Sequence, residues 1–457
     1  MAAPIHRHAH APPLPRPLRY IVSSFQRFAE LEASSGLLML LAAVVALLWA
    51  NSPWKEAYHH LWETELVVGI EPSPLALPLE GWINDALMTF FFFVVGLEIK
   101  REITVGELSS PRRVMFPLMA AVGGMALPAL IYVSVMVWAG TPQFLRGWGI
   151  PVATDIAFAL GVLALLGRRA PTALKIFLTT LAIADDIGGI LIIAVFYTAE
   201  LNLTWLAIGL GIFLLALLLS RLHVYSPLPY FVLGVLVWWA IFHSGVHATI
   251  SGVLMAFAIP VRRFLDREDF IARSQRVLRE MHENIKNNDV YRAGLSTLEW
   301  LAERAQSPLQ RLETELHPWV AFLIVPLFAL ANAGVTVEGN PRETLNHPVF
   351  LGVFLGLVLG KPFGILLTSW LSVKLRLADK PSTLGWRHIF GVGWLAGIGF
   401  TVALFIANLA FPGQDVLDYA KLGILAASAI AGVTGYVLLF SFGLRTPEDE
   451  TALPHEE

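Results

Sequence analysis

Three charged side chains lie inside apolar stretches of this sequence. Asp185 and Asp186 are adjacent in a run from 176 to 198 that is otherwise uncharged, and Lys361 lies in a second apolar run from 351 to 368. Runs of this length can cross a bilayer as helices, and an Asp at the centre of one costs about 2.5–3.5 kcal/mol on insertion scales. The aspartate pair therefore predicts a membrane site that handles protons or small cations.

The spacing of these residues suggests separate roles for the two aspartates. Neighbours on a helix point about 100° apart, so one can line a cation pathway while the other contacts a packed partner. Carboxylate oxygens suit a hard cation such as Na⁺, and a proton competes for the same oxygens. We expect Lys361 to pair with Asp185 or Asp186, because an unpaired buried ammonium is unfavourable. The alternatives are a snorkelling lysine and purely structural aspartates.

Further polar residues lie in a third apolar run, from 149 to 166. Pro151, Thr154 and Asp155 fall within about one turn there, which predicts an interrupted helix. The sequence leaves two roles open for Asp155. It can balance the positive N-termini of broken helices, or it can bind the cation directly together with Thr154.

Composition defines the class of protein that must hold these residues. Of 457 residues, 56% are hydrophobic and 15% are charged, and the mean hydropathy is +0.64. Soluble domains carry about 25% charged residues, so we predict an all-α polytopic protein surrounded by membrane lipid. The absence of cysteine excludes disulfides, cysteine-ligated zinc and cysteine nucleophiles. We expect no cofactor, no nucleic-acid partner and no cleaved signal peptide.

The apolar runs predict twelve transmembrane helices. They lie at about 33–51, 82–99, 114–138, 149–166, 172–198, 203–220, 227–243, 245–261, 316–336, 347–373, 388–410 and 418–443. With the N-terminus inside, the inner segments hold 27 of the 32 Lys and Arg residues and the outer segments hold four. This asymmetry predicts that both termini are cytoplasmic.

Two of the twelve runs show features of broken helices. The fourth contains Pro151, and the eleventh contains glycines at 391, 393, 397 and 399. They are the middle members of spans 3–5 and 10–12, which run in opposite directions across the membrane. This placement predicts inverted repeats around a midplane transport site. Close helix packing is the alternative explanation for the glycines.

The rest of the chain divides around this membrane domain. We assign residues 1–32 to a cytoplasmic segment, 33–443 to the transporter domain and 444–457 to an acidic cytoplasmic tail. Residues 262–312 form a mixed-charge segment with helical periodicity, which predicts a cytoplasmic helical insertion. The outer loop 52–80 predicts a short hairpin, either as an ordered loop or as a homodimer contact through strand pairing.

Several blocks of sequence resemble the NhaA-type sodium/proton antiporters. The blocks are ATDIAFALGVLALLG at 153–167, AIADDIGG at 182–189, GLEIKRE at 96–102, SGVHAT at 244–249, HPWVA at 317–321, ANAG at 331–334, GKP at 360–362 and GIGFT at 397–401. The resemblance implies electrogenic exchange of cytoplasmic Na⁺ or Li⁺ for protons at a bacterial inner membrane. It also implies twelve helices, with the fourth and eleventh unwound and crossing.

The resemblance also implies roles for individual residues. Asp186 looks like the principal Na⁺ carboxylate, and Asp185 like the partner of Lys361, with Asp155 and Thr154 at the crossing. A pH-response cluster is implied at the inner mouth, formed by Glu98, Glu102, Glu313 and His317. Interfacial anchoring is the simpler explanation of the first two, and a structural role is the simpler one for His317. The chain has Thr314 where well-known members have a histidine, and its insertion before Glu313 is longer than usual. The resemblance therefore does not fix the pH dependence of activity.

Two other functions are compatible with intramembrane aspartates. An intramembrane aspartyl protease needs two carboxyls that share a proton, but adjacent helical residues diverge and Lys361 would have no use. A sodium-coupled symporter of a small organic anion would need a roomy polar pocket. The sequence favours the antiporter, which is a transporter and not an enzyme.

Overall fold

The computed structural model describes residues 34–68, 75–106, 111–167, 170–198, 201–222, 224–336, 341–381 and 383–442. The segments assigned above to 1–32 and 444–457 lie outside these ranges. Most of the described chain is helical, as its hydropathy predicts.

The first half of the chain contains one β-hairpin and nine α-helices among the described residues. The elements are α1 (Ser34–Ala50), α2 (Lys55–Glu63), β1 (Glu65–Val68), β2 (Leu75–Pro78), α3 (Leu79–Val105), α4 (Pro111–Trp138), α5 (Ile156–Ala164), α6 (Thr172–Phe196), α7 (Leu203–Arg221), α8 (Pro227–Ser244) and α9 (Ile250–Ala258). A 3₁₀ helix, Pro142–Val152, precedes α5.

The second half begins with two polar helices and then returns to apolar ones. The elements are α10 (Arg267–Glu283), α11 (Asn288–Ala305), α12 (Pro308–Asn332), α13 (Pro341–Asn346), α14 (Pro348–Lys374), α15 (Trp386–Ala396), α16 (Phe400–Ala410) and α17 (Val416–Ser441). Single π-helical turns interrupt three long helices, at Ile83–Leu87, Val320–Ile324 and Gly356–Gly360.

The described helices support a multi-pass membrane protein. Eight are long and apolar enough to cross a membrane, and the count rises to eleven if each of three bent helix pairs is one span. The predicted span 245–261 differs, because Gly245 takes a left-handed conformation (φ +83°) and only the nine residues of α9 are helical. The left-handed glycine ends α8 and turns the chain towards α9. The count of twelve stays a prediction.

Both helices predicted to be broken are broken. The 3₁₀ helix and α5 meet at 45°, and α15 and α16 meet at 47°. The two breaks touch, since the backbone N–H of Asp155 donates to the carbonyl oxygen of Ile398 over 2.7 Å. Backbone groups freed by each break therefore find partners in the other break, as a low-dielectric environment requires.

The glycines of the eleventh predicted span serve two purposes. Gly397 lies at the end of α15 and Gly399 precedes α16, so these two mark the break. Gly391 packs against Leu439 and Gly393 against the backbone of Pro362, where a Cβ would lie 2.9 Å from the proline Cα. Close packing, the alternative considered above, therefore explains the first two glycines. The last two mark the break, and Gly397 is also closely packed, since a Cβ there would lie 2.7 Å from the Leu357 carbonyl oxygen.

Two elements outside the membrane helices also match their predictions. Strands β1 and β2 pair antiparallel from Glu65 opposite Pro78 to Val68 opposite Leu75, which confirms the hairpin. In the insertion, α10 and α11 pack together with Gly294 against Met281. A hydrogen bond of 3.0 Å from the Leu265 N–H to the Arg304 carbonyl closes the base of this helical insertion.

Candidate ion-binding site

A fully buried ion pair lies beside the crossing of the broken helices. The Nζ atom of Lys361 is 2.5 Å from Oδ2 of Asp185, and neither side chain is exposed to solvent. Of the two aspartates that the sequence offered as partners, the structure places Asp185 against the lysine. The other oxygen of Asp185, Oδ1, is buried and has no hydrogen-bond partner among the described residues.

Thr154 joins this ion pair to the broken backbone. Its hydroxyl accepts a hydrogen bond from Lys361 Nζ over 2.8 Å. The hydroxyl oxygen also lies 2.7 Å from Asp185 Oδ2 and 2.9 Å from the carbonyl oxygen of Ala396. A hydroxyl has one proton to donate. At any moment Thr154 therefore donates either to the Asp185 carboxylate or to the Ala396 carbonyl at the end of α15.

Asp155 holds the N-termini of both helices that begin at the crossing. Its Oδ1 accepts from the Phe158 N–H in α5 over 3.0 Å. Its Oδ2 accepts from the backbone N–H and the hydroxyl of Thr401 in α16, over 3.1 Å and 2.7 Å. A carboxylate at a helix N-terminus is stabilised by the free N–H groups and the helix dipole. The geometry thus favours the charge-balancing role for Asp155 over direct cation binding.

Asp186 is the carboxylate with open coordination. Its side chain is buried at 7% exposure, and it makes no hydrogen bond to any described residue. The charges that act on it are the carboxylates of Asp185, Glu98 and Asp155, and the ammonium of Lys361. An anion surrounded mainly by other anions favours a bound proton or metal cation. Asp186 can therefore accept either one.

Local irregularity places Lys361 at this point. The π turn Gly356–Gly360 ends immediately before the lysine and shifts the following turn of α14. Gly360 lies so close to the backbone of Pro128 in α4 that a Cβ would come within 2.7 Å of the proline Cα. The missing side chain lets α14 approach α4, and this approach brings the Lys361 side chain to the crossing.

The four residues of the implied pH-response cluster fall at one end of α3 and the start of α12. Arg101 forms an ion pair with the half-buried Glu102 at 3.1 Å and a second one with the buried Glu313. The charge of His317 acts on Glu313, and Glu98 acts on both Arg101 and Asp186. Electrostatic interactions therefore connect this cluster to the ion-pair region.

Sequence reasoning underrated three residues. Arg101 is not among the predicted site residues, although its position one residue from Glu102 and three from Glu98 indicates a shared cluster. Lys100 donates to the carbonyl oxygens of Phe257 and Ile259 and so caps the end of α9. Thr401 bears no charge, and nothing in its local sequence showed that it would bind Asp155.

Thr314, which replaces a histidine of well-known members, lies outside these contacts. Its exposed hydroxyl donates to the Gln310 carbonyl one turn back in α12 over 2.8 Å. Among the described residues, no group of three His, Asp or Glu side chains is arranged to hold a resident metal ion.

A buried lysine–aspartate pair at the crossing of two broken helices defines a multi-pass membrane protein with an internal charged site. The chain belongs to the family described as Na+/H+ antiporter 1, whose model matches residues 26–439. Similar proteins named Na(+)/H(+) antiporter NhaA occur in Koribacter versatilis (strain Ellin345), at 50% identity over 93% of this chain and 92% of that protein. Another occurs in Oleidesulfovibrio alaskensis, at 48% identity over 93% and 95%, and a third in Helicobacter pylori (strain J99), at 45% over 92% and 96%.

Proposed function

We propose that this protein exchanges Na⁺ or Li⁺ for protons across the membrane. The observation that carries the proposal is the buried Lys361–Asp185 pair next to Asp186, a carboxylate that has no hydrogen-bond partner in the described part of the chain. Membership in the Na+/H+ antiporter 1 family supports it. The relatives named as antiporters are similar over nearly their whole length, and the family match over residues 26–439 spans every residue of the site.

Competition for carboxylate oxygens is the proposed mechanism. When Asp186 is protonated it has little affinity for Na⁺, and when it is ionised it can bind the cation. Oδ1 of Asp185 has no hydrogen-bond partner among the residues that the structure describes, so it can join the same cation. Protons and the cation then cross the membrane bound to the same carboxylates at different times. The exchange is electrogenic if unequal numbers of charges move in the two directions.

Alternating access around the crossing completes the proposal. We assign twelve helices, with spans 3–5 and 10–12 as inverted repeats whose broken middle members cross at Asp155. The Lys and Arg distribution supports cytoplasmic termini at a bacterial inner membrane, with export of cytoplasmic Na⁺. Lipid is expected to surround α7 in particular, because only 11% of its apolar stretch is buried against the rest of the protein.

Regulation by pH is assigned to Glu98, Glu102, Glu313 and His317. The ion pair of Arg101 in α3 with Glu313 in α12 supports this role, because protonation of Glu313 removes a charge that holds the two helices together. Glu102 pairs with the same arginine and competes with Glu313 for it. A homodimer is proposed through the outer loop 52–80, where β1 has four exposed residues. We propose neither a cofactor nor a nucleic-acid partner.

Flux measurements on purified protein in liposomes test the function. We expect radioactive Na⁺ to leave the liposomes when a pH gradient is imposed, in buffer without organic solutes. A symporter of an organic anion would show no efflux until a solute is added. Solute-dependent flux would therefore overturn the exchange proposal.

A further inference from the structure

The insertion between α9 and α12 exposes apolar side chains that its own two helices leave uncovered. The buried residues of α10 and α11 are Met281, Gly294 and Leu301, so the core between these helices is small. Two packed helices bury only the stripe along which they meet. Five large apolar side chains outside that stripe are 43–62% exposed, and we call them the insertion face. They are Ile271, Leu278, Ile285, Tyr291 and Leu295.

The five side chains of the insertion face lie on one side of the helix pair. Met281 marks the side of α10 that faces α11, and Gly294 marks the matching side of α11, since these two residues pack together. Leu278 precedes Met281 by three positions, and Tyr291 precedes Gly294 by three. Because a short turn joins the helices and makes them antiparallel, these equal offsets point both side chains to the same side. The other three members follow at intervals of four or seven residues, which keeps them on that side.

The distribution of charge around the insertion face suits contact with an identical surface. Between Ile271 and Ile285, the helical spacing of α10 directs the charged side chains away from the face. These charged residues are Arg273, Arg276, Arg279, Glu280 and Glu283. Arg267 and Glu299 lie at the margins of the face, and His282 adjoins it. A surface that pairs with its own copy brings like groups together across a two-fold axis, and like charges there are unfavourable. A largely uncharged centre therefore favours pairing of two copies.

The size of the insertion face also favours a second copy over a soluble protein or lipid. Its side chains present about 500 Å² of surface, which is less than the roughly 800 Å² that each partner buries in a standard interface. A soluble partner would bind such a face weakly, whereas a second copy in the same membrane has a high effective concentration. Anionic lipid attracts segments with an excess of Lys and Arg. Helix α10 has no such excess, because it carries four arginines and four acidic residues.

We propose that the insertion face binds the same face of a second copy, so that the α10–α11 pairs of two copies form a four-helix contact. This contact adds to the homodimer proposed above through the outer loop 52–80. The two contacts lie on opposite sides of the membrane in the predicted topology, so each can be removed separately. The insertion contact is too small to hold two copies together in dilute detergent, but it stabilises the pair in a membrane.

The chain contains no cysteine, so single cysteines can be placed on and off the insertion face. We reconstitute the purified protein into liposomes, where a second copy is the only protein available, and add a short bis-maleimide. We expect Leu278→Cys and Leu295→Cys to form covalent dimers in at least about fivefold higher yield than Arg276→Cys and Glu280→Cys, because the face holds two copies together. The two control positions are exposed and lie on the side of α10 away from the face.

Polar variants test whether the apolar surface holds the copies together. We expect Ile271→Gln combined with Leu278→Gln to lower cross-linking of Leu295→Cys by about tenfold, because burial of unpaired amides is unfavourable. The matched control, Arg276→Gln combined with Arg279→Gln, should leave cross-linking unchanged. Leu278→Lys is a second variant, which places like charges opposite each other and should also abolish the dimers. These positions are exposed in a single copy, so the unfolding temperature in detergent should not change.

Three results would overturn the insertion contact. They are equal dimer yields from face and control cysteines, no dimers from either face cysteine, and full cross-linking of Leu295→Cys in both polar variants. A face that lies on lipid would give the second result, and Leu278→Cys would then react with a lipid-soluble maleimide but not with a water-soluble one. Cross-linking needs no transport, so failure of the exchange proposal would not change how this experiment is interpreted.

Discussion

At the scale of single residues, the buried pair of Lys361 and Asp185 lies within the proposed transport site. Both side chains are fully withdrawn from solvent, so each depends on the other for charge compensation. Removing one partner of such a pair leaves an uncompensated buried charge, whereas replacing both by neutral groups of similar size is often tolerated. We therefore expect a change of protonation or a bound cation to alter this pair.

The first prediction concerns this pair. We expect Lys361→Met to destabilise the protein by about 3–5 kcal/mol, because it strands the Asp185 carboxylate. Adding Asp185→Asn should restore much of that loss. Thermal unfolding in detergent measures both effects, with Lys374→Met as the control, since Lys374 is an exposed lysine of the same helix. A double variant no more stable than Lys361→Met would contradict the account.

At this scale the sequence predicted that Lys361 pairs with an aspartate, but not which of the two aspartates it is. An apolar environment requires a counter-charge for Lys361, and two aspartates were available at a 100° separation. Which one faces α14 depends on the rotation of α6 and on the approach of Gly360 to Pro128, and neither can be deduced from the local sequence. The same limit applies to Thr401, whose contact with Asp155 joins positions 246 residues apart.

At the scale of helices, one carboxylate organises the crossing. An ordinary N-cap residue accepts hydrogen bonds from the start of one helix. Asp155 accepts them from the starts of two helices, one with each carboxylate oxygen. Each cap contributes about 0.5–2 kcal/mol. The two broken helices are thus fastened to each other, and a change in this fastening reaches Thr154 and the ion pair directly.

The second prediction follows from these two caps. We expect Asp155→Ala to destabilise the protein by about 1–4 kcal/mol, which is the sum of two caps. Asp155→Asn keeps one acceptor oxygen and should lose less. Unfolding in detergent checks the order. Asn202→Ala is the control, because Asn202 caps only α7 at the periphery. Equal losses for Asp155→Ala and Asn202→Ala would show that the second cap contributes nothing.

The third prediction concerns the β-hairpin. The Leu79 N–H donates to the Thr64 carbonyl over 3.0 Å, so residues 65–78 can be replaced by a short glycine linker without moving α2 or α3. We expect this deletion to convert a dimer into a monomer and to leave exchange intact, because the two strands contain none of the residues of the ion-binding site. Molecular mass in detergent measures the change, with Glu65→Gln as a control that keeps both strands. A dimer that survives the deletion would place the contact elsewhere.

At the scale of the whole molecule, hydropathy predicted the membrane helices well because lipid imposes long apolar runs. It failed to describe 245–261, where the run is apolar but the left-handed Gly245 and a turn shorten the helix to nine residues. Both breaks were predicted from Pro151 and the glycine cluster. The crossing itself was implied only by family resemblance, since no local pattern shows that the Asp155 N–H meets Ile398.

The central claim is that Asp186 exchanges Na⁺ for protons. The most direct test is Na⁺-induced collapse of an imposed pH gradient in everted vesicles, from slightly acidic to alkaline pH. We predict collapse in the native protein, with less Na⁺ needed as pH rises because fewer protons compete for the carboxylates. Asp186→Asn should abolish it at every pH and Na⁺ concentration. Asp379→Asn, at an exposed aspartate, should leave it unchanged. Full activity in Asp186→Asn, with both proteins at equal levels in the membrane, would contradict the account.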